Sequence, residues 1–393
     1  MTSAPPPIGY GRQSVDKDDL AAVISVLTSN RLTQGPEVER FEKGLADYVG
    51  AKYAVAVSNG TAALHLACLA AGLKAGDLAV TSTLTFVATA NAPIYCGAKT
   101  SLVDIDPENL NLSLEELTAF LENNPQTKAV LPVHFSGVSV DMKHLKSIIE
   151  DRIVIEDASH ALGGINPDGS KIGACTHSDM CIFSFHPVKP ITTAEGGAIT
   201  TNDPKLAHTL SMLRNHGLER NPELFMETAP EKYGPWSYEQ QKLGFNYRLS
   251  DLQAALGLSQ LSKLDNFLNR RREIASQYDE SFQNSQYFHL TQSNTNFRSH
   301  SGHHLYVIQV DFKALGKSRK QVMLEFQEKG IGTQVHYIPV HRQPYHMQID
   351  DRSSKDFPIA EHYYNQALSI PFYPGLTDSD IDRVVEGVKS IIS

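Results

Sequence analysis

One lysine, Lys189, stands among Ser, Thr, His and Pro in the stretch Phe183-Ser-Phe-His-Pro-Val-Lys-Pro-Ile-Thr-Thr-Ala-Glu-Gly-Gly-Ala198. The runs on either side, Met180–Phe185 and Ala198–Thr200, are apolar and read as buried strands. Taking water away from an ammonium lowers its pKa from about 10.4 toward neutrality, and the free amine can then attack a carbonyl to form an imine. A surface lysine in a turn is the competing reading of this segment alone. A second group lies where the run Tyr53–Val57 meets Ser58-Asn59-Gly60-Thr61 ahead of an Ala/Leu-rich helix. Small residues at a helix start leave backbone N–H groups and a favourable dipole open to a phosphate. Plain N-capping by Ser58 or Asn59 explains the same residues. The third is Glu156-Asp157-Ala158-Ser159-His160, at the end of the run Ile153–Ile155. A carboxylate at a buried strand end is costly without a positive partner, and a protonated pyridine nitrogen would be one. A surface cap by Asp157 or Glu156 is the alternative, and His160 is either a cover for a planar ring or a satisfied structural histidine.

Phosphate-binding turn, strand-end carboxylate and strand-end lysine are together the set that pyridoxal phosphate needs. The phosphate is anchored, the ring nitrogen is kept protonated as an electron sink, and the aldehyde is captured by the amine. Phe86, in Leu84-Thr-Phe-Val-Ala-Thr89, is placed to cover the ring face, or equally to join the core.

The elements that must position these groups alternate between residues 50 and 215. Tyr53–Val57, Leu78–Thr81, Thr100–Val103, Ala129–Val133 and Ile153–Ile155 read as buried strands. Thr61–Ala71, Phe86–Tyr95, Ser113–Glu122 and Met142–Glu150 carry helical periodicity between them. The alternation implies an α/β fold with a mostly parallel sheet between helices, and ligands gather at the carboxyl ends of such strands. Ser250–Leu264 and Phe267–Phe282 read as long helices parted at Asp265-Asn266, and 293–302 as a loop. A smaller α/β unit follows, with strand Leu305–Val310 and helices Ser318–Lys329 and Asp378–Ile391. The expected division is a large domain over 1–265 and a small one over 266–393.

The 393 residues allow ample core, and a net charge of −9 with no clustered basic stripe argues against nucleic acid as a partner. Arg270-Arg271-Arg272 is the one basic run, expected on a solvated helix face. Cys68, Cys96, Cys175 and Cys181 lack metal-ligand spacing, so no metal is expected; they read as buried reduced thiols. The start, Met1-Thr-Ser-Ala-Pro-Pro-Pro, lacks the order of a signal peptide, and no apolar run reaches membrane-spanning length. A cytoplasmic protein with no membrane partner is expected. The Pro-rich start and the loop after Asn221 carry no assignable motif.

The order of these motifs carries a resemblance. Ser58–Thr61, Thr85–Thr89, Glu156–His160 and Phe183–Lys189 are followed by Glu195–Gly197, Gly244-Phe-Asn-Tyr-Arg248 and Val335-His-Tyr-Ile-Pro339. In that order, from about Leu32 to Pro371, the chain resembles the DegT/StrS nucleotide-sugar aminotransferases, which are fold-type I pyridoxal-phosphate enzymes. The resemblance implies that Lys189 holds the cofactor as an imine and later shuttles a proton. It implies that Asp157 pairs with the pyridine nitrogen, Phe86 stacks on the ring, and Gly60, Thr61, Ser159 and Ser184 bind the cofactor. Asn246 would reach the phosphate from a neighbouring subunit, which implies a homodimer with shared active sites. Within the family the chain looks most like the enzymes that aminate C4 of a UDP-linked 4-keto-6-deoxy-N-acetyl-L-hexosamine with L-glutamate, in pseudaminic acid biosynthesis. Tyr10, Arg31, Leu32, Thr33, His336 and Tyr337 match positions that meet the nucleotide sugar there. Three rivals stand beside this. Sugar 3-dehydrases carry histidine at the lysine position, and Lys189 argues against them. An aminotransferase for another keto sugar, of perosamine or 4-amino-arabinose type, differs only in a few side chains. A non-catalytic relative has no physical need of a buried lysine.

Overall fold

Short runs of β-branched and small apolar residues form a seven-stranded sheet in the computed structural model, which describes residues 6–226, 233–283, 285–350 and 352–392. The strands are β1 (Tyr53–Val57), β2 (Leu78–Ser82), β3 (Lys99–Val103), β4 (Thr127–Leu131), β5 (Ile153–Asp157), β6 (Met180–Ser184) and β7 (Gly197–Thr201). Their order is β1-β7-β6-β5-β4-β2-β3. β2 to β6 pair in parallel, and β7 runs antiparallel to both neighbours. The reversal follows from the lysine segment. It joins β6 to β7 with no helix, closed by Phe185 N–H on the Gly196 carbonyl at 2.8 Å, and a parallel return needs a longer crossover.

Side-chain alternation sends successive strand residues to opposite faces. Ile182 and Ile199 join Leu64 and Leu66 of helix Gly60–Ala70 on one side. Cys181, Phe183 and Ala198 meet Phe41 and Leu45 of helix Pro36–Val49 on the other. Both faces are covered, as the expected α/β fold requires. β4 ends before Pro132, and β5 runs on to include Asp157, a small change of bounds from the sequence reading.

After a two-stranded ribbon of β8 (Leu218–Glu219) and β9 (Glu239–Gln240) comes an antiparallel sheet of β10 (Phe288–Leu290), β11 (Tyr306–Val310) and β12 (Ala367–Ile370). Helices Arg319–Glu328 and Asp378–Ile391 cover it through Phe326, Ile381, Val384 and Val388. Ile8 sits in this same core, its N–H on the Gly330 carbonyl at 2.8 Å. The N-terminal segment thus packs with the C-terminal unit.

Four details depart from expectation. The two long helices part at Ser262-Lys263, and the second, Leu264–Phe282, is one continuous rod. Its Leu264 and Leu268 enter the large core while Ile274, Tyr278 and Phe282 enter the small one. Arg271 is no solvated residue: it is 1% exposed, and its guanidinium donates to the carbonyls of His303, His304 and Phe372. It shares the inward face with Leu268 and Ala275, three and four residues away, which is where helical geometry puts it. Cys96, at the exit of helix Val87–Tyr95, is half-buried; the other three cysteines are buried and all four are free thiols. The 293–302 stretch contains a short helix, Thr295–His300, capped by Asn294.

Candidate active site

The turn at Ser58–Thr61 is built by a cap that stops short. Asn59 accepts the Ala62 N–H at 2.8 Å and starts helix Gly60–Ala70. The amides of Gly60 and Thr61 belong to the first turn, where no intrahelical acceptor exists, and they lie on a cavity wall. The capping reading of this segment holds for Asn59, and the next two residues keep their amides on the cavity wall. Gly60 presses on Ser184 at the end of β6, where a Cβ would come 2.9 Å from the Ser184 Cβ. Gly197, opposite Val57 in the ladder, leaves no room for a side chain either, since a Cβ would lie 2.6 Å from the Asn59 carbonyl.

Alternation along β5 separates its two carboxylates. Glu156 turns to His134, at 2.7 Å, and to the Ser178 hydroxyl. Asp157 faces the cavity, 5% exposed, and accepts the Thr89 hydroxyl at 2.6 Å and the Ser159 N–H at 3.0 Å. Thr89 in turn lies 2.9 Å from the Thr85 hydroxyl. Thr85 and Thr89 were quoted above only as motif residues. Thr85 lies just ahead of helix Val87–Tyr95 and Thr89 in its first turn, so their closeness in sequence was the available signal for a joint role.

Lys189 projects from the β6–β7 connection into the same space. Burial lowers its amine to about 8, against the opposing pull of the Asp157 carboxylate. Phe86 precedes helix Val87–Tyr95 and is 57% exposed, so it is a wall of the cavity and not part of the core. Its ring centroid lies 5.9 Å from that of Tyr337.

Gly60, Thr61, Phe86, Asp157, Ser159, Ser184 and Lys189 thus share one cavity of about 680 Å³, at the carboxyl ends of β1, β5 and β6. Tyr10, His336 and Tyr337 close it from the side of the small unit. His336 is tied by Nδ1 to the Ser369 hydroxyl at 2.8 Å, and burial beside Lys189 pushes its imidazole down to about 3. His160 and His304 also line the wall, held neutral well below the usual histidine range by burial. His304 escaped the sequence reading, for nothing near it marks a strand end. Arg31, Leu32 and Thr33 are exposed and lie off the cavity. Asn246 is likewise exposed and off this wall, its backbone bridged to Asn215. Among the described residues no group of His, Cys, Asp and Glu could hold a metal ion.

Residues 13–389 match the DegT/DnrJ/EryC1/StrS aminotransferase family. The chain belongs to that family. It is 40% identical over 392 residues to the spore coat polysaccharide biosynthesis protein SpsC of Bacillus subtilis, covering 98% of this chain and 96% of that one. It is 36% identical over 388 residues to the UDP-4-amino-4,6-dideoxy-N-acetyl-beta-L-altrosamine transaminase of Campylobacter jejuni, covering 98% and 97%. Among solved structures, Helicobacter pylori PseC, an aminotransferase of pseudoaminic acid biosynthesis, matches with a TM-score of 0.88 at 30% identity over 98% of this chain and 99% of that one. The fold is that of the pyridoxal-phosphate aminotransferases, with the expected large sheet and smaller C-terminal unit. Among the described residues no helix is long and apolar enough to cross a membrane.

Proposed function

We propose that the protein is a cytoplasmic, pyridoxal-phosphate-dependent aminotransferase acting on a nucleotide-linked keto sugar. The amino group moves from L-glutamate to C4 of a UDP-linked 4-keto-6-deoxy-N-acetyl-L-hexosamine, a step of pseudaminic acid biosynthesis. One observation carries the reaction class. A lysine amine lowered to about 8 shares a cavity with a buried carboxylate and an open helix start. The residues fit the cofactor: Gly60 and Thr61 amides with the Ser184 hydroxyl for the phosphate, Asp157 for the ring nitrogen, Phe86 for the ring face. The site is too crowded at Gly60 for a side chain, which suits a backbone anion cradle.

When bound, the cofactor supplies an electron sink for the substrate carbon. The chain does the rest. Lys189 Nζ would hold the aldehyde carbon at rest and, once displaced, accept and return the proton at the reacting carbon. An amine near 8 is a free base often enough near neutral pH to do so. Asp157 would keep a proton on the ring nitrogen, with Thr89 and Ser159 setting the orientation of its oxygens. The partner's Asn246 would complete the phosphate site in a homodimer with shared active sites, which accounts for an exposed asparagine off its own cavity.

The sugar is supported by the 36% identical transaminase and by the likeness to PseC. A second reading, an aminotransferase for another keto sugar, draws its support from the 40% identity to a spore coat polysaccharide biosynthesis protein. Mass spectrometry of products from glutamate with UDP-4-keto sugars of L-altro and D-gluco form decides. Amination of the L-altro ketone alone is expected; turnover of neither ketone would overturn the substrate assignment.

A further inference from the structure

We infer that His160 is a positioning residue that makes Tyr337 a one-way hydrogen-bond donor to an oxygen atom of the bound ligand. The inference deepens the aminotransferase reading and rests on it. It starts from a backbone amide. Ser136 N–H points at His160 Nδ1, 3.3 Å away, and an N–H can only donate. Nδ1 is therefore the acceptor and carries no proton. Burial keeps the ring neutral, as do the charge of Lys189 and the nearby His336. A neutral imidazole must then hold its single proton on Nε2. Nε2 lies 2.9 Å from the Tyr337 hydroxyl. The phenol oxygen accepts there, and its own proton is directed elsewhere.

The pieces on either side of this relay are fixed. Ser136 has φ of 60°, is 5% exposed, and its hydroxyl donates to the Leu305 carbonyl at 3.1 Å. Its amide is thus held where it is by Leu305, just ahead of strand β11. His304 packs at a tilt against His160 with ring centroids 4.4 Å apart, and its Nδ1 is buried with no hydrogen-bond partner, so the pair of rings is packed and not cross-linked. The Tyr337 ring is confined by Phe86, Phe135 and His336, at centroid distances of 5.9, 6.4 and 5.0 Å. What remains free in Tyr337 is the O–H torsion, and His160 decides it. Burial pushes the phenol far above its usual range, so it donates without ionising.

The acceptor the geometry calls for is an oxygen bearing partial negative charge on the cavity wall beside Lys189. Two sources share that chemistry: the ring oxygen of the cofactor and the keto oxygen of the sugar. The test uses the full-length protein with added cofactor, as wild type, Tyr337→Phe, His160→Leu, His160→Gln and the Tyr337→Phe/His160→Leu double variant. Two readouts are taken: the pH titration of the cofactor's visible band without substrate, and kcat and KM for the keto sugar. Loss of one oriented hydrogen bond should lower kcat/KM by roughly 10- to 100-fold in Tyr337→Phe and in His160→Leu alike. The double variant should lose no more than either single one, because both changes remove the same contact. His160→Gln places an amide N–H where Nε2 was and should recover most of the activity.

A shifted titration of the visible band would identify the cofactor oxygen as acceptor; an unshifted band with lowered kcat/KM would identify the sugar's. Losses that multiply in the double variant would overturn the inference. So would a Tyr337→Phe enzyme as active as wild type, or a His160→Gln enzyme as impaired as Tyr337→Phe, which stays informative should His160→Leu not fold. A wild type that never takes up cofactor would instead defeat the aminotransferase reading itself.

Discussion

Lys189 is held at the expense of stability. Its amine falls from 10.5 in the open chain to about 8 in the folded one, with burial as the larger cause. Below about 8 both states are protonated and the folded one bears the full penalty of a desolvated ammonium. Between about 8 and 10.5 the unfolded chain holds a proton that the folded one has lost, so stability rises with pH. Above that window the penalty is gone. Lys189→Met without cofactor should therefore be more stable than wild type at pH 7 by on the order of 1–3 kcal/mol, a gap that closes toward high pH. Denaturant melts at several pH values check it, and the same variant should stay colourless with added cofactor. Asp157 makes a different contribution. Its oxygens are oriented by Thr89 and Ser159, at 2.6 and 3.0 Å. Asp157→Asn should fold and bind cofactor yet slow both half-reactions on the order of 100-fold, read by single-turnover spectroscopy with glutamate and with sugar. Unchanged rates would mean another group protonates the ring.

Among the elements, the start of helix Gly60–Ala70 shows how local chemistry and packing share one segment. Asn59 takes the Ala62 amide. The first-turn amides of Gly60 and Thr61 stay available because helices leave their first N–H groups without partners. Gly60→Ala would drive a methyl to 2.9 Å from the Ser184 Cβ, between two of the proposed phosphate contacts. Cofactor affinity should fall roughly tenfold or more, about 1.4 kcal/mol, with little change in melting temperature of the cofactor-free protein. Equilibrium titration of the visible band measures it. Much of this was legible before any coordinates. The strand-turn-helix order around Ser58–Thr61 and the helix-free Lys189 segment each carry their geometry within about fifteen consecutive residues. The opposite outcome is Arg271, expected in solvent from a basic triplet and found donating to three carbonyls across the seam. A charge run says what a residue is; the partner it meets lies on another element.

For the whole molecule, the cavity is a joint product of the two units. Asp157, Lys189 and the Gly60–Thr61 turn come from the large sheet, while His336 and Tyr337 come from the small unit and Tyr10 from the segment that packs with it. Asn246 stands outside its own cavity, and its proposed place is the neighbouring one. Mixing equal amounts of inactive Lys189→Ala and Asn246→Ala protein should then restore about a quarter of wild-type activity, since half the dimers are mixed and each has one intact site. No recovery after verified subunit exchange would sink the shared-site arrangement.

By itself the sequence determined the α/β alternation, the family resemblance and the candidate set proposed to hold the cofactor. These rest on residue type and short spacing, and strand ends, first-turn amides and a desolvated lysine behave alike wherever they occur. Tertiary structure alone decided that Ile8 would join the C-terminal core. It also decided that Ser136 would fix the proton on His160 and, through it, the aim of Tyr337. Those outcomes join residues tens to hundreds of positions apart. They follow from which apolar faces bury together, a choice made by the chain as a whole and written in no single segment of it.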